Sequence, residues 1–100
     1  MPELMKWITA YFAFRSLTWP NADRSLLFLV SEIGELSDAW VQEKAAWVRN
    51  NPDRERDVAS EIGDVLMMLY IFADSVGVDP VQALRAKMAK KGFEVQDGKS

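Results

Sequence analysis

Apolar residues recur three or four positions apart along almost the whole chain, and nowhere do they alternate for long enough to make a strand. That periodicity predicts an all-α fold, and its interruptions set the number of helices. A first helix is expected from about Pro2 to Ser16, with Leu4, Trp7, Ile8, Tyr11 and Phe12 on one stripe. "TWPNAD" ends it, and Asn21 or Asp23 is suited to cap a second helix carrying "RSLLFLVSEIGELSDAWVQEKAAW". In "RNNPDRERD", Pro52 disfavours helix at Asn51 and suits a new first turn, so a third helix is expected from about Asp53 to Ser75, stopped at Gly77. Asp79 and Pro80 open a fourth that ends near Gly92, and residues 93–100 read as a loose polar tail. Four helices on short turns predict one domain over residues 1–100, resembling a four-helix bundle.

A chain of 100 residues, 49% hydrophobic, builds only a modest core, and a second copy is a natural way to bury more apolar surface. The chain has no cysteine and no histidine, which removes disulfides, zinc sites of the usual kind, Cys nucleophiles and Ser-His-Asp chemistry. Any chemistry must run on carboxylates, Lys and Arg. A net charge of −3 argues against a nucleic-acid polymer as partner but leaves a single nucleotide open. The N-terminal "MPELMKWITAYFAF" has no basic region ahead of an apolar stretch, and no apolar run approaches the roughly 20 residues of a membrane helix, so no membrane partner and a cytoplasmic location are expected.

Two near-identical stretches stand inside the most apolar segments, "SEIGEL" at 31–36 and "SEIGDV" at 60–65. Each places two acids three residues apart, Glu32 with Glu35 and Glu61 with Asp64, so on a helix each pair projects from one side. The stripe through the first pair is Phe28, Leu29, Glu32, Glu35, Leu36 and Ala39, and through the second Val58, Glu61, Asp64, Val65, Met68 and Ile71. One such pair alone reads as a solvated face. Two matching pairs, each interrupting an apolar stripe where Leu or Ile belongs, read as a shared site. Gathered carboxylates repel unless a cation neutralises them, and oxygen-only ligands suit Mg²⁺, with Mn²⁺ as a substitute. Gly34 and Gly63 each cost a helix interior about 1 kcal/mol relative to Ala, so a close backbone approach or space beside the acids is expected there.

With "EIGE" followed by "EIGD" and the continuation "DVLMMLYIFADSVGVDPVQAL", the sequence resembles the MazG-type all-α nucleoside triphosphate pyrophosphohydrolases, relatives of the dimeric dUTPases and dCTP pyrophosphatases, from roughly Trp19 to Phe93. The resemblance implies that Glu32, Glu35, Glu61 and Asp64 are catalytic and hold Mg²⁺, which grips a triphosphate. It also implies attack of water on the α-phosphorus, with Glu35 or Glu32 as base, and a homodimer or dimer of dimers. The chain departs from the family pattern at Ser31, where many members carry a further acid, and in "KMAKKGFEV", where Lys87 is kept but the rest of the basic ending is replaced. Lys87, Lys90 and Lys91 are candidate phosphate contacts, weighed against a solvated helix end. Trp19 and Trp40 are candidates to stack on the base, weighed against packing, while Trp7, Tyr11 and Phe12 read as packing.

Three other readings stay open. One is an enzyme like phosphoribosyl-ATP pyrophosphohydrolase. Another is a non-catalytic helical module whose aromatic surface docks a partner. The third is a metal-dependent phosphatase of broad range, which would release phosphate instead of pyrophosphate.

Overall fold

A computed structural model describes residues 2–44 and 58–96. It holds four helices, α1 (Pro2–Phe14), α2 (Ala22–Lys44), α3 (Val58–Ser75) and α4 (Pro80–Lys90), and no strand among the described residues. The expected start of the third helix, between Asp53 and Asp57, lies outside the described residues, as do the continuation of the second beyond Lys44 and the tail from 97 on.

The caps explain the boundaries. Asn21 caps α2, its Oδ1 accepting from the Arg24 backbone N–H at 2.8 Å, which decides between the two expected caps. Asp79 caps α4 by accepting from the N–H groups of Val81 and Gln82, and these bonds, which favour the ionised carboxylate, hold its pKa below the usual value. Gly77 and Gly92 take positive φ after α3 and α4, as a left-handed stop requires. The first helix ends two residues earlier than expected because Ser16 does the same job with φ 53°, letting Leu17 N–H reach back to the Phe12 carbonyl.

The core lies where α1, α2 and α3 meet. Ile8, Leu29, Met68, Tyr70 and Ile71 are buried together, with Leu4, Met5, Phe12, Val65 and Met67 packed around them. Glu32 lies near Glu61 and Asp64, while Phe28, one turn before it, shares a cavity wall with Met68, one turn beyond Asp64; α2 and α3 therefore run antiparallel. Ser25 is fully buried on α2, and its hydroxyl is satisfied by donating to the Ala22 carbonyl.

The all-α, bundle-like fold expected from the sequence is present. The backbones of α1 and α4 approach α3 and no other helix among the described residues, so within one chain the four helices form an open, bundle-like arrangement about α3. The radius of gyration is 16.8 Å, where a compact chain of this length has about 13 Å. Trp7 follows from this: with no helix to cover it, it is 66% exposed instead of packed. A Cβ at Gly34 or Gly63 would meet nothing within 4 Å among the described residues, which agrees with the expectation of space beside the acids and not with that of a close backbone approach.

Candidate metal centre

The stripe that buries Leu29 and Ala39 on α2 also carries Glu32, and the stripe that buries Met68 and Ile71 on α3 carries Glu61 and Asp64. Helix pairing thus forces the acids inward along with the apolar residues. One carboxylate oxygen from each of Glu32, Glu61 and Asp64 falls within 4.8 Å of the other two, and all three side chains are half-buried. The Glu32 Oε2 is shielded from solvent and has no hydrogen-bond partner among the described residues. The Glu61 Oε2 is equally shielded.

Glu35 is not brought into the group. It is exposed on α2, next to Glu32, where the two carboxyls share a hydrogen bond. Burial, with the charges of Glu35, Asp64 and Glu61 behind it, pushes the Glu32 pKa up to about 7. Every charge acting on Glu32 is negative. Three hard oxygen donors from two helices, partly desolvated, fit Mg²⁺ or Mn²⁺ in both charge and donor type.

Beside this group opens a cavity of about 710 Å³ whose lining includes Phe12, Trp19, Asn21, Arg24, Phe28 and Glu32. Glu32 therefore belongs to both features. Trp19 meets Phe12 edge to face, ring centroids 5.0 Å apart, and presents a flat aromatic wall. Of the two tryptophans expected to face a base, Trp19 is at the cavity, while Trp40 is 52% exposed and not part of its lining. Lys87, Lys90 and Lys91 are exposed at the end of α4, line none of the cavity, and exert no charge effect on Glu32. Within one chain the structure does not bring them to the acids.

Phe12, Asn21, Arg24 and Phe28 were not foreseen as part of a site. The signal for two of them was present: Arg24, Phe28 and Glu32 are spaced four apart and share one face of α2.

The order and spacing of the acid pairs on α2 and α3 agree with a family match. The model of the MazG-like family matches residues 27–100. The chain belongs to the MazG-like family. Membership points to a nucleotide pyrophosphohydrolase kind of activity and to use of a divalent metal, for which the Glu32, Glu61 and Asp64 group is the natural seat. No helix among the described residues is long and apolar enough to cross a membrane. Neither a curated protein nor a solved structure matches the chain. The MazG-like match covers both acid pairs but begins after Trp19, Asn21 and Arg24, so that part of the cavity wall lies outside the matched region.

Proposed function

We propose that this MazG-like chain is a Mg²⁺-dependent nucleotide pyrophosphohydrolase that cleaves a nucleoside triphosphate to the monophosphate and pyrophosphate, a chemistry suited to clearing nucleotides from the cellular pool. The observation that carries this reading is the position of Glu32, which closes the carboxylate group on one side and the aromatic cavity on the other. A nucleotide has the matching layout, with phosphates at one end and a flat base at the other.

Glu32, Glu61 and Asp64 hold the ion, and when bound it neutralises phosphate charge and lowers the pKa of a coordinated water. Trp19 and Phe28 fix the base, which places the α-phosphorus at the carboxylate end. Glu35 stands at the rim beside Glu32 and accepts the proton of the attacking water. The water oxygen bonds to the α-phosphorus, the bridging bond to the β-phosphate breaks, and pyrophosphate leaves with that electron pair.

The working form in this proposal is a homo-oligomer, a dimer or a dimer of dimers. Leu27, Val30, Ile33 and Val41 of α2 are each at least 50% exposed, a row of large apolar residues on the side of the helix that α3 does not cover. A second copy of this chain, laying its own α2 there, closes the open arrangement into the bundle that one chain lacks.

The test is product identification after incubation with Mg²⁺ and a panel of ribo- and deoxynucleoside triphosphates that includes phosphoribosyl-ATP, with Glu61→Gln in parallel. Monophosphate and pyrophosphate, absent with the variant, support the reading. Release of orthophosphate shows a phosphatase instead. No turnover and no response to metal shows a non-catalytic interaction module.

A further inference from the structure

The cavity beside Glu32 carries more than an aromatic wall. The Arg24 guanidinium lies over the Phe28 ring, 5.7 Å from its centroid. Stacking of this kind holds the plane of the guanidinium but leaves the N–H groups at its edge unused. Among the described residues the Arg24 side chain has no hydrogen bond and no ion pair. A forked donor with all five N–H groups available therefore stands in the lining of the cavity.

The neighbouring polar group has the same sense. Asn21 uses its side-chain oxygen to cap α2, accepting from the Arg24 backbone N–H at 2.8 Å, so what remains of its amide is the NH₂ donor. The carboxylate of the lining, Glu32, belongs to the metal group. At the aromatic end of the cavity, then, Arg24 and Asn21 offer donors, and Thr18 adds a hydroxyl that can donate or accept.

Building on the proposed pyrophosphohydrolase reading, we infer that Arg24 selects the base of the substrate, favouring bases that present two adjacent acceptors. Guanine does so with O6 and N7, and cytosine with O2 and N3. Adenine places its amino group beside N7, and uracil and thymine separate their two carbonyls by an N–H, so neither matches a two-pronged donor. Eight residues separate Arg24 from Glu32, about 12 Å along the helix, which suits a base at one end and an α-phosphate at the other. The family match begins beyond Arg24, so this preference is a property of this chain and not of the shared metal group.

Two measurements test it on the intact protein. The first is kcat/KM for GTP, CTP, ATP and UTP with Mg²⁺, for the natural chain and for Arg24→Lys and Arg24→Gln, both placed at an exposed position. The second is calorimetric titration of GMP, CMP, AMP and UMP in Mg²⁺, which reads base recognition without hydrolysis. A preference for guanine and cytosine on the order of ten-fold or more, reduced to within about two-fold in both variants at unchanged Tm, is the expected result. Turnover with no such preference, or one that survives both substitutions, overturns the role of Arg24 and leaves the hydrolase reading standing. A monophosphate preference that depends on Arg24, without turnover of any triphosphate, upholds the role of Arg24 and overturns the hydrolase reading. Absence of both turnover and binding overturns both.

Discussion

Glu32 of α2 and Glu61 of α3 hold carboxylate oxygens within 4.8 Å of each other across the antiparallel helix pair, with Asp64 completing the group. Two like charges at that separation in a partly desolvated place oppose folding of the metal-free chain. The same repulsion becomes attraction when a divalent cation is shared among them. Stability and metal binding are thus coupled through one set of oxygens.

Mg²⁺ should therefore raise the melting temperature, by roughly 10 °C at a concentration about one hundred times the dissociation constant. Glu61→Gln should remove most of that response. Glu32→Gln should melt above the natural chain near pH 8 when metal is absent, because the charge that Glu35, Asp64 and Glu61 oppose has gone. Scanning fluorimetry with and without Mg²⁺ checks both; a Glu32→Gln chain that melts lower without metal would show Glu32 to be a structural prop.

The raised pKa of Glu32 sets the sign of a pH effect in the metal-free protein. Its folded value is about 7 against an ordinary 4.5, so between these the folded chain keeps a proton that the unfolded chain releases. Stability is then greatest near the lower value and falls as pH rises to about 7, by at most about 3 kcal/mol. Urea melts at about pH 5 and about pH 8 should show this loss, and Glu32→Gln should flatten it. Saturating Mg²⁺ should reverse the trend, since the ion displaces the proton.

Trp19→Ala should raise KM for the preferred triphosphate about ten-fold or more, in line with the loss of one base-stacking surface, with a smaller change in kcat. Trp19→Phe keeps a flat ring against Phe12 and should recover most of the affinity. Steady-state kinetics on the two variants separates stacking from a general loss of structure, because a structural defect would lower kcat in both.

The parts of this molecule governed by short-range rules were legible in the sequence. Periodicity gave four helices, Asp79 with Pro80 gave the start of α4, and acids at Glu32, Glu61 and Asp64 on apolar stripes gave the carboxylate cluster between α2 and α3. What was not legible depends on which helix covers which. The stripe of α1 includes Trp7 by spacing alone, yet among the described helices the backbone of α1 approaches α3 alone, and Trp7 is left largely in solvent. Glu35 has the same spacing to Glu32 as Asp64 has to Glu61, but it is exposed beside Glu32 and its oxygens fall outside the group of three. The end of α1 two residues before the expected boundary was not legible either, because it rests on a left-handed Ser16, which a non-Gly residue adopts at modest cost.

The uncovered side of α2 gives the last prediction. Val30 is 62% exposed and Ile33 50%, and both lie on a helix whose opposite side is fully occupied by α3. A chain of this size with so many large apolar residues in water is short of buried surface, and in the proposed oligomer association of two copies through this face would supply it. Replacing Val30 and Ile33 together by Glu puts two charges into that contact and should convert the dimer or tetramer to monomer by light scattering. Because neither side chain supports the core within one chain, helicity by circular dichroism should be largely kept. A natural chain that already runs as a monomer would remove the proposed interface, and would leave the exposed row on α2 to another kind of partner.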